Sequence, residues 1–166
     1  MSKSGNGTKK TTSFINTESP KYINRSVKGA PMGKLGSADE EKDAAHKLGW
    51  GLVNVIETHS AGRPKGDDSR KEVAKALNSE SNLRIKSAYG NRTLDERRDA
   101  RIAEAFVEDK PIEGKSTIAR AKIVYDSSKQ MGDPLDSTTK ALGEMKVYDE
   151  DTKRSHKLKN HDKHEN

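Results

Sequence analysis

The chain has no cysteine. That excludes a disulfide framework, thiolate catalysis and cysteine-ligated zinc, and it suits a reducing compartment. Aromatic residues number only seven, one of them tryptophan, which leaves little with which to stack unpaired bases. Large apolar residues are also scarce: Leu, Ile, Val and Phe together make 26 of 166, against 35% charged residues. A chain this poor in them buries little surface to offset the entropy of ordering. No run of about 18 apolar residues exists, so no transmembrane helix is expected. The opening MSKSGNGTKK has no apolar core of a secretory signal. A cytoplasmic protein without membrane contact is the expectation.

What is present is charge, unevenly placed. Residues 1–37 carry seven Lys/Arg and one Glu, whereas residues 131–152 carry two basic and six acidic side chains. The net charge of the whole is +6. Such segregation points to an anionic partner.

Residues 1–36 are rich in Ser, Thr, Gly, Asn and Lys, with Pro20 and Pro31, and read as a flexible basic arm. Residues 37–147 read as a helical domain. Three capping boxes (Ser37–Glu40, Ser69–Glu72, Thr93–Glu96) offer a side-chain acceptor followed three residues later by Glu. Asp133-Pro134 gives a cap followed by Pro in the first turn. Gly49, Asn78, Gly90 and Gly132 stand as stops, with Pro111 ending a further segment. These signals predict helices over 38–48, 51–60, 70–77, 80–89, 94–109, 115–131 and 134–147. The run Trp50–Ile56, the densest apolar stretch, also fits a strand, since Val53 and Val55 alternate with Leu52, Asn54 and Ile56; it is read as helix, strand signals being otherwise scarce. The fold class is therefore all-α, a small irregular domain of six or seven helices. Its expected core is Trp50, Leu52, Val53, Ile56, Val73, Leu77, Leu83, Ile102, Phe106, Ile118, Val124 and Leu142. Residues 148–166 read as a charged, His-containing tail.

Gly62-Arg63-Pro64-Lys65 resembles the short basic arms beside helix-turn-helix domains in several DNA-binding families. Pro stiffens such an arm, and Arg and Lys suit a narrow minor groove. The resemblance covers four residues. It implies that 70–77 is the first helix and 80–89 the recognition helix, presenting Asn82, Arg84 and Lys86. Against it, polar Ser79, Arg84 and Ser87 occupy spacings that usually hold apolar residues, and a plain loop between two helices fits as well.

Gly114-Lys115-Ser116-Thr117 is similar to the end of a phosphate-binding loop. Asp109 stands where that motif needs Gly, so the segment reads as a turn that starts helix 115–131. His156, His161 and His164 fall in the charged tail without the scaffold of a structural metal site, so neither a metal nor a cofactor is expected. No Ser/His/Asp grouping supports catalysis.

The reading is a non-enzymatic accessory or regulatory protein that binds nucleic acid, DNA foremost, or a nucleoprotein. Arg63, Lys65, Arg70, Lys71, Arg84, Lys86 and Arg92 are its expected contacts. One alternative is a protein-interaction or assembly factor whose helices pack on a partner or on a second copy. Another is a hydrophilic stress-type protein.

Overall fold

In this computed structural model the described residues are 42–61 and 67–164. The elements are β1 (Lys42–His46), α1 (Trp50–Ala61), α2 (Asp67–Leu77), β2 (Leu83–Ser87), α3 (Glu96–Glu108), α4 (Lys115–Met131), α5 (Asp136–Glu144), β3 (Lys146–Asp149), β4 (Arg154–Lys157) and a final turn of helix, α6 (His161–His164). Short 3₁₀ turns precede β2, α5 and α6, and a π-helical segment, Gly90–Asp95, leads into α3.

Four helices make the body. α1 packs on α3 and α5, and α4 packs on the same two, so the four close a ring around one core. α2 lies against the 3₁₀ turn Asp133–Leu135. Each helix supplies a stripe at helical spacing: Val53 and Ile56 from α1, Ile102 and Ala105 from α3, Ala121 and Val124 from α4, all buried. Nine of the twelve expected core residues are buried, and Trp50, Phe106 and Ile118 pack partly buried against them. Local chemistry sets the boundaries. α3 stops because Asp109 turns left-handed (φ 55°), with Pro111 beyond. α4 stops at Gly132 (φ 77°), a conformation that disfavours a side chain.

The protein is mostly helical but not purely so, and the strands correct several expectations. Residues 38–48 do not form the expected helix where described: Lys42–His46 is a strand. Residues 80–89 do not either; after the turn Glu80–Asn82 the chain extends as β2. β1 and β2 pair antiparallel, from Lys42 opposite Ser87 to His46 opposite Leu83. Such a pairing satisfies the inward-facing half of the backbone groups of both strands, which a lone strand would leave to water. Two capping boxes do not cap. α2 begins at Asp67, ahead of Ser69, and Thr93 lies inside the π-helical segment. The box at Ser37 and the arm 1–36 lie outside the described residues.

The expected tail is folded through His164. β3 and β4 form an antiparallel hairpin, Lys146 opposite Lys157. Ile112 adds a parallel bridge to Val147, its N–H donating to the Lys146 carbonyl (2.8 Å). Val147 and Leu158 are both inside the core. Glu144, at the end of α5, accepts from Lys157 (2.8 Å) and Lys159 (2.7 Å), which hold its carboxyl down at about 2. Among the described residues no helix is long and apolar enough to cross a membrane.

Candidate nucleic-acid interface

The alternation in β2 builds the site. Direct cross-strand partners share a face, so Asp43, Ala45, Arg84 and Lys86 lie on one side of the ribbon. Leu83, Ile85, Ala44 and His46 lie on the other. The first side meets the π-helical segment and the middle of α4. A π turn holds one residue more than an α turn and resets the faces that follow it. Here it delivers Asn91, Arg92 and Asp95 to the ribbon at once.

Two carboxylates organise what converges there. Asp43 accepts from Asn91 Nδ2 (2.9 Å) and, bidentate, from Arg92 Nε (2.9 Å) and Nη2 (2.7 Å). Asp95, with its side chain 3% exposed, accepts from Lys86 Nζ and from Arg98 Nη1 (3.2 Å). Arg84 Nη2 lies 3.6 Å from it and Arg120 Nη1 3.5 Å. Arg120, also 3% exposed, spends its other nitrogens on Asp99: Nε to Oδ1 at 2.8 Å and Nη2 to Oδ2 at 3.0 Å. Its Nη1 and the Nε of Arg84 are buried without a hydrogen-bond acceptor. Five cations thus surround three carboxylates. Glu96, whose field reaches Asp99, adds a fourth at the rim and still leaves cations in the majority. The inner members are closed off, but Arg92 is 58% exposed, Arg84 32% and Lys86 25%.

Burial alone would raise the Asp95 carboxyl. The Lys86 hydrogen bond and the fields of Arg120, Lys86 and Arg84 outweigh it and hold the group below its ordinary 3.8. Asp43 is likewise held low, burial being outweighed by hydrogen bonds from Arg92 and Asn91. Asp99 goes the other way: burial raises it, and Arg120 recovers only part. For Asp43 and Asp95 the folded state binds protons more weakly than the unfolded chain. Their stabilisation is therefore complete above 3.8 and is lost as pH falls through the lower folded values. Acid unfolding followed by circular dichroism should accordingly begin below about pH 4, and Asp43→Asn should flatten it.

Of the expected contacts, the structure brings Arg84, Lys86 and Arg92 together. Arg70, half-buried, and Lys71, exposed, stand on α2. Arg63 and Lys65 lie outside the described residues. The helix-turn-helix is corrected, because Arg84 and Lys86 project from a strand and Asn82 is wholly buried. Sequence reasoning missed Arg98 and Arg120. For Arg120 a signal existed: it falls in register with Thr117, Ala121, Val124 and Ser128, all buried on α4, and a charge on a buried stripe implies a buried partner. No family model, no curated protein and no solved structure matches this chain.

Proposed function

We propose that the chain is a non-enzymatic nucleic-acid-binding protein of accessory or regulatory type. In this reading, phosphates meet the exposed rim of the ribbon cluster, Arg84, Lys86 and Arg92 with Arg98. The basic segment 1–37 adds sequence-independent attraction. The observation that carries it is the convergence of five cations on three carboxylates at one end of the fold. The partially exposed guanidinium groups there suit phosphate geometry. Outside residues 1–37 acidic and basic side chains are equal in number, so affinity depends on where the cations stand rather than on bulk charge.

Fluorescence anisotropy with duplex DNA and with RNA tests this. From 50 to 200 mM salt, about six phosphate contacts should cost about a thousandfold in affinity. Lys86→Met and Arg92→Gln should each reduce the salt slope by about one. Absence of binding at 50 mM salt would sink the reading.

One observation favours a second reading, a protein-interaction factor. Ile85, in the middle of β2, and Tyr89, two residues beyond that strand, are exposed large hydrophobic side chains. Self-association by light scattering, removed by Tyr89→Ser and insensitive to nucleic acid, would support that reading instead.

A further inference from the structure

The outer face of α3 is built differently from its inner one. Inward, Ile102 and Ala105 join the core against α1 and α4. Outward, two rows run side by side at helical spacing. One is mainly apolar: Ala100 and Val107 are exposed, the latter 46%, with half-buried Ala103 between them. Glu96 stands at its outer end. The other row is charged and exposed throughout: Arg97 and Arg101, then Glu104 and Glu108.

That order of charges opposes the helix that carries it. Arg97 and Arg101 are like charges one turn apart, and so are Glu104 and Glu108. The row also runs against the helix dipole, which favours carboxylates near the N-terminus and cations near the C-terminus. Little inside the molecule offsets this. Among the described residues Arg97, Arg101 and Glu104 form no ion pair, and Glu108 has the exposed Lys110 at 3.1 Å.

A second α3 laid antiparallel reverses both effects. A twofold axis sets each row against its own copy. Positions 97 and 108 share their midpoint with 101 and 104, between Ile102 and Ala103. One register therefore brings Arg97 to Glu108 of the second copy and Arg101 to its Glu104, and symmetry makes each pair twice. The two helix dipoles then run in opposite directions, each end beside its opposite. In the neighbouring row Ala100 and Ala103 let the axes approach closely, and Val107 gains cover. We propose that α3 is a self-recognition helix through which the chain forms an antiparallel dimer. A helix of this length spans only about 20 Å. The contact is thus smaller than the roughly 1,200–2,000 Å² of a stable complex, and the dimer is weak, sensitive to concentration and to salt. It needs no nucleic acid.

Sedimentation equilibrium on the full chain, freed of nucleic acid, from about 10 µM to about 1 mM tests this. At about 50 mM salt a monomer–dimer equilibrium should appear, and about 500 mM should weaken it. Arg97→Glu with Arg101→Glu puts repulsion in place of each attraction and should weaken association about a hundredfold or more. Glu104→Arg with Glu108→Arg should do the same. All four side chains are exposed, so both variants should keep the wild-type circular dichroism. Mixed in equal amounts, the two should pair with each other, because every charge again meets its opposite. Tyr89→Ser should leave the wild-type dimer intact. A monomer throughout the range overturns the proposal. So does a dimer that survives either reversal, one that Tyr89→Ser abolishes, or a mixture of folded variants that fails to pair.

Discussion

Replacing Asn82 with alanine is expected to cost about 3–5 kcal/mol, out of the roughly 5–15 kcal/mol that a small domain possesses. The residue has no exposed surface. Its Nδ2 donates to the carbonyls of Leu48 (3.0 Å) and Leu77 (2.9 Å). Its Oδ1 accepts from Leu48 N–H (2.9 Å) and Ser127 Oγ–H (2.7 Å). One amide thus ties the loop after β1, the end of α2 and the middle of α4. Alanine strands four buried partners, each costing about 1–3 kcal/mol, less whatever entering water restores. Asn82→Asp keeps the two accepted bonds and turns a carboxylate on two carbonyls. It should be as damaging at neutral pH and recover in part on acidification, as the protonated acid regains one donor. Urea melts measure both. A midpoint for Asn82→Ala within about 0.5 kcal/mol of wild type would show that the amide is not the tie.

The second large effect is at Asp95. Asparagine there keeps the shape and removes the charge that Arg84, Lys86, Arg98 and Arg120 face. With the carboxylate 3% exposed, the loss should be about 3–5 kcal/mol, the usual cost of leaving buried charge uncompensated. The same substitution raises the cationic surplus at the ribbon. If that rim meets phosphates, Asp95→Asn should bind duplex DNA more tightly, with a steeper salt slope, while melting earlier. Opposite signs for stability and affinity in one variant separate a functional cluster from a purely structural one. Lower affinity in a variant that is still folded would count against the proposed interface.

What could be read from the sequence follows from how local each signal is. α4 was bounded correctly at 115–131 because Gly114 and Gly132 both take positive φ and punctuate a 17-residue helix. The helix at 50–61 was legible as the densest apolar stretch, and the one through 96–108 by the stop that Pro111 sets beyond its end. The ribbon was not. Leu83-Arg-Ile-Lys-Ser87 does alternate, but over five residues only. Its partner Lys42–His46 lies about 40 residues away, with two alanines that favour helix. The hairpin was hidden by its turn, where Lys153 takes the left-handed conformation (φ 61°) that Gly or Asn would have announced. Leu158, alone among charged neighbours, gave no periodicity, although it is 1% exposed. The candidate site was half visible: Arg84, Lys86 and Arg92 stood out by charge. Their gathering around Asp43 and Asp95 depends on strand pairing and a π turn, which single-sequence patterns do not encode.

The helical ring also bears on how the protein is made. α1 leaves the ribosome long before α5, and the core they share also takes in Val147 and Leu158. Until the hairpin has emerged, α1, α3 and α4 can cover one another only in part, and the faces that α5, Val147 and Leu158 complete stay exposed. The nascent chain therefore waits, and its final collapse comes in a late step that joins segments about 80 to 100 residues apart. Its sparing use of large apolar side chains keeps that waiting period from becoming an aggregation hazard.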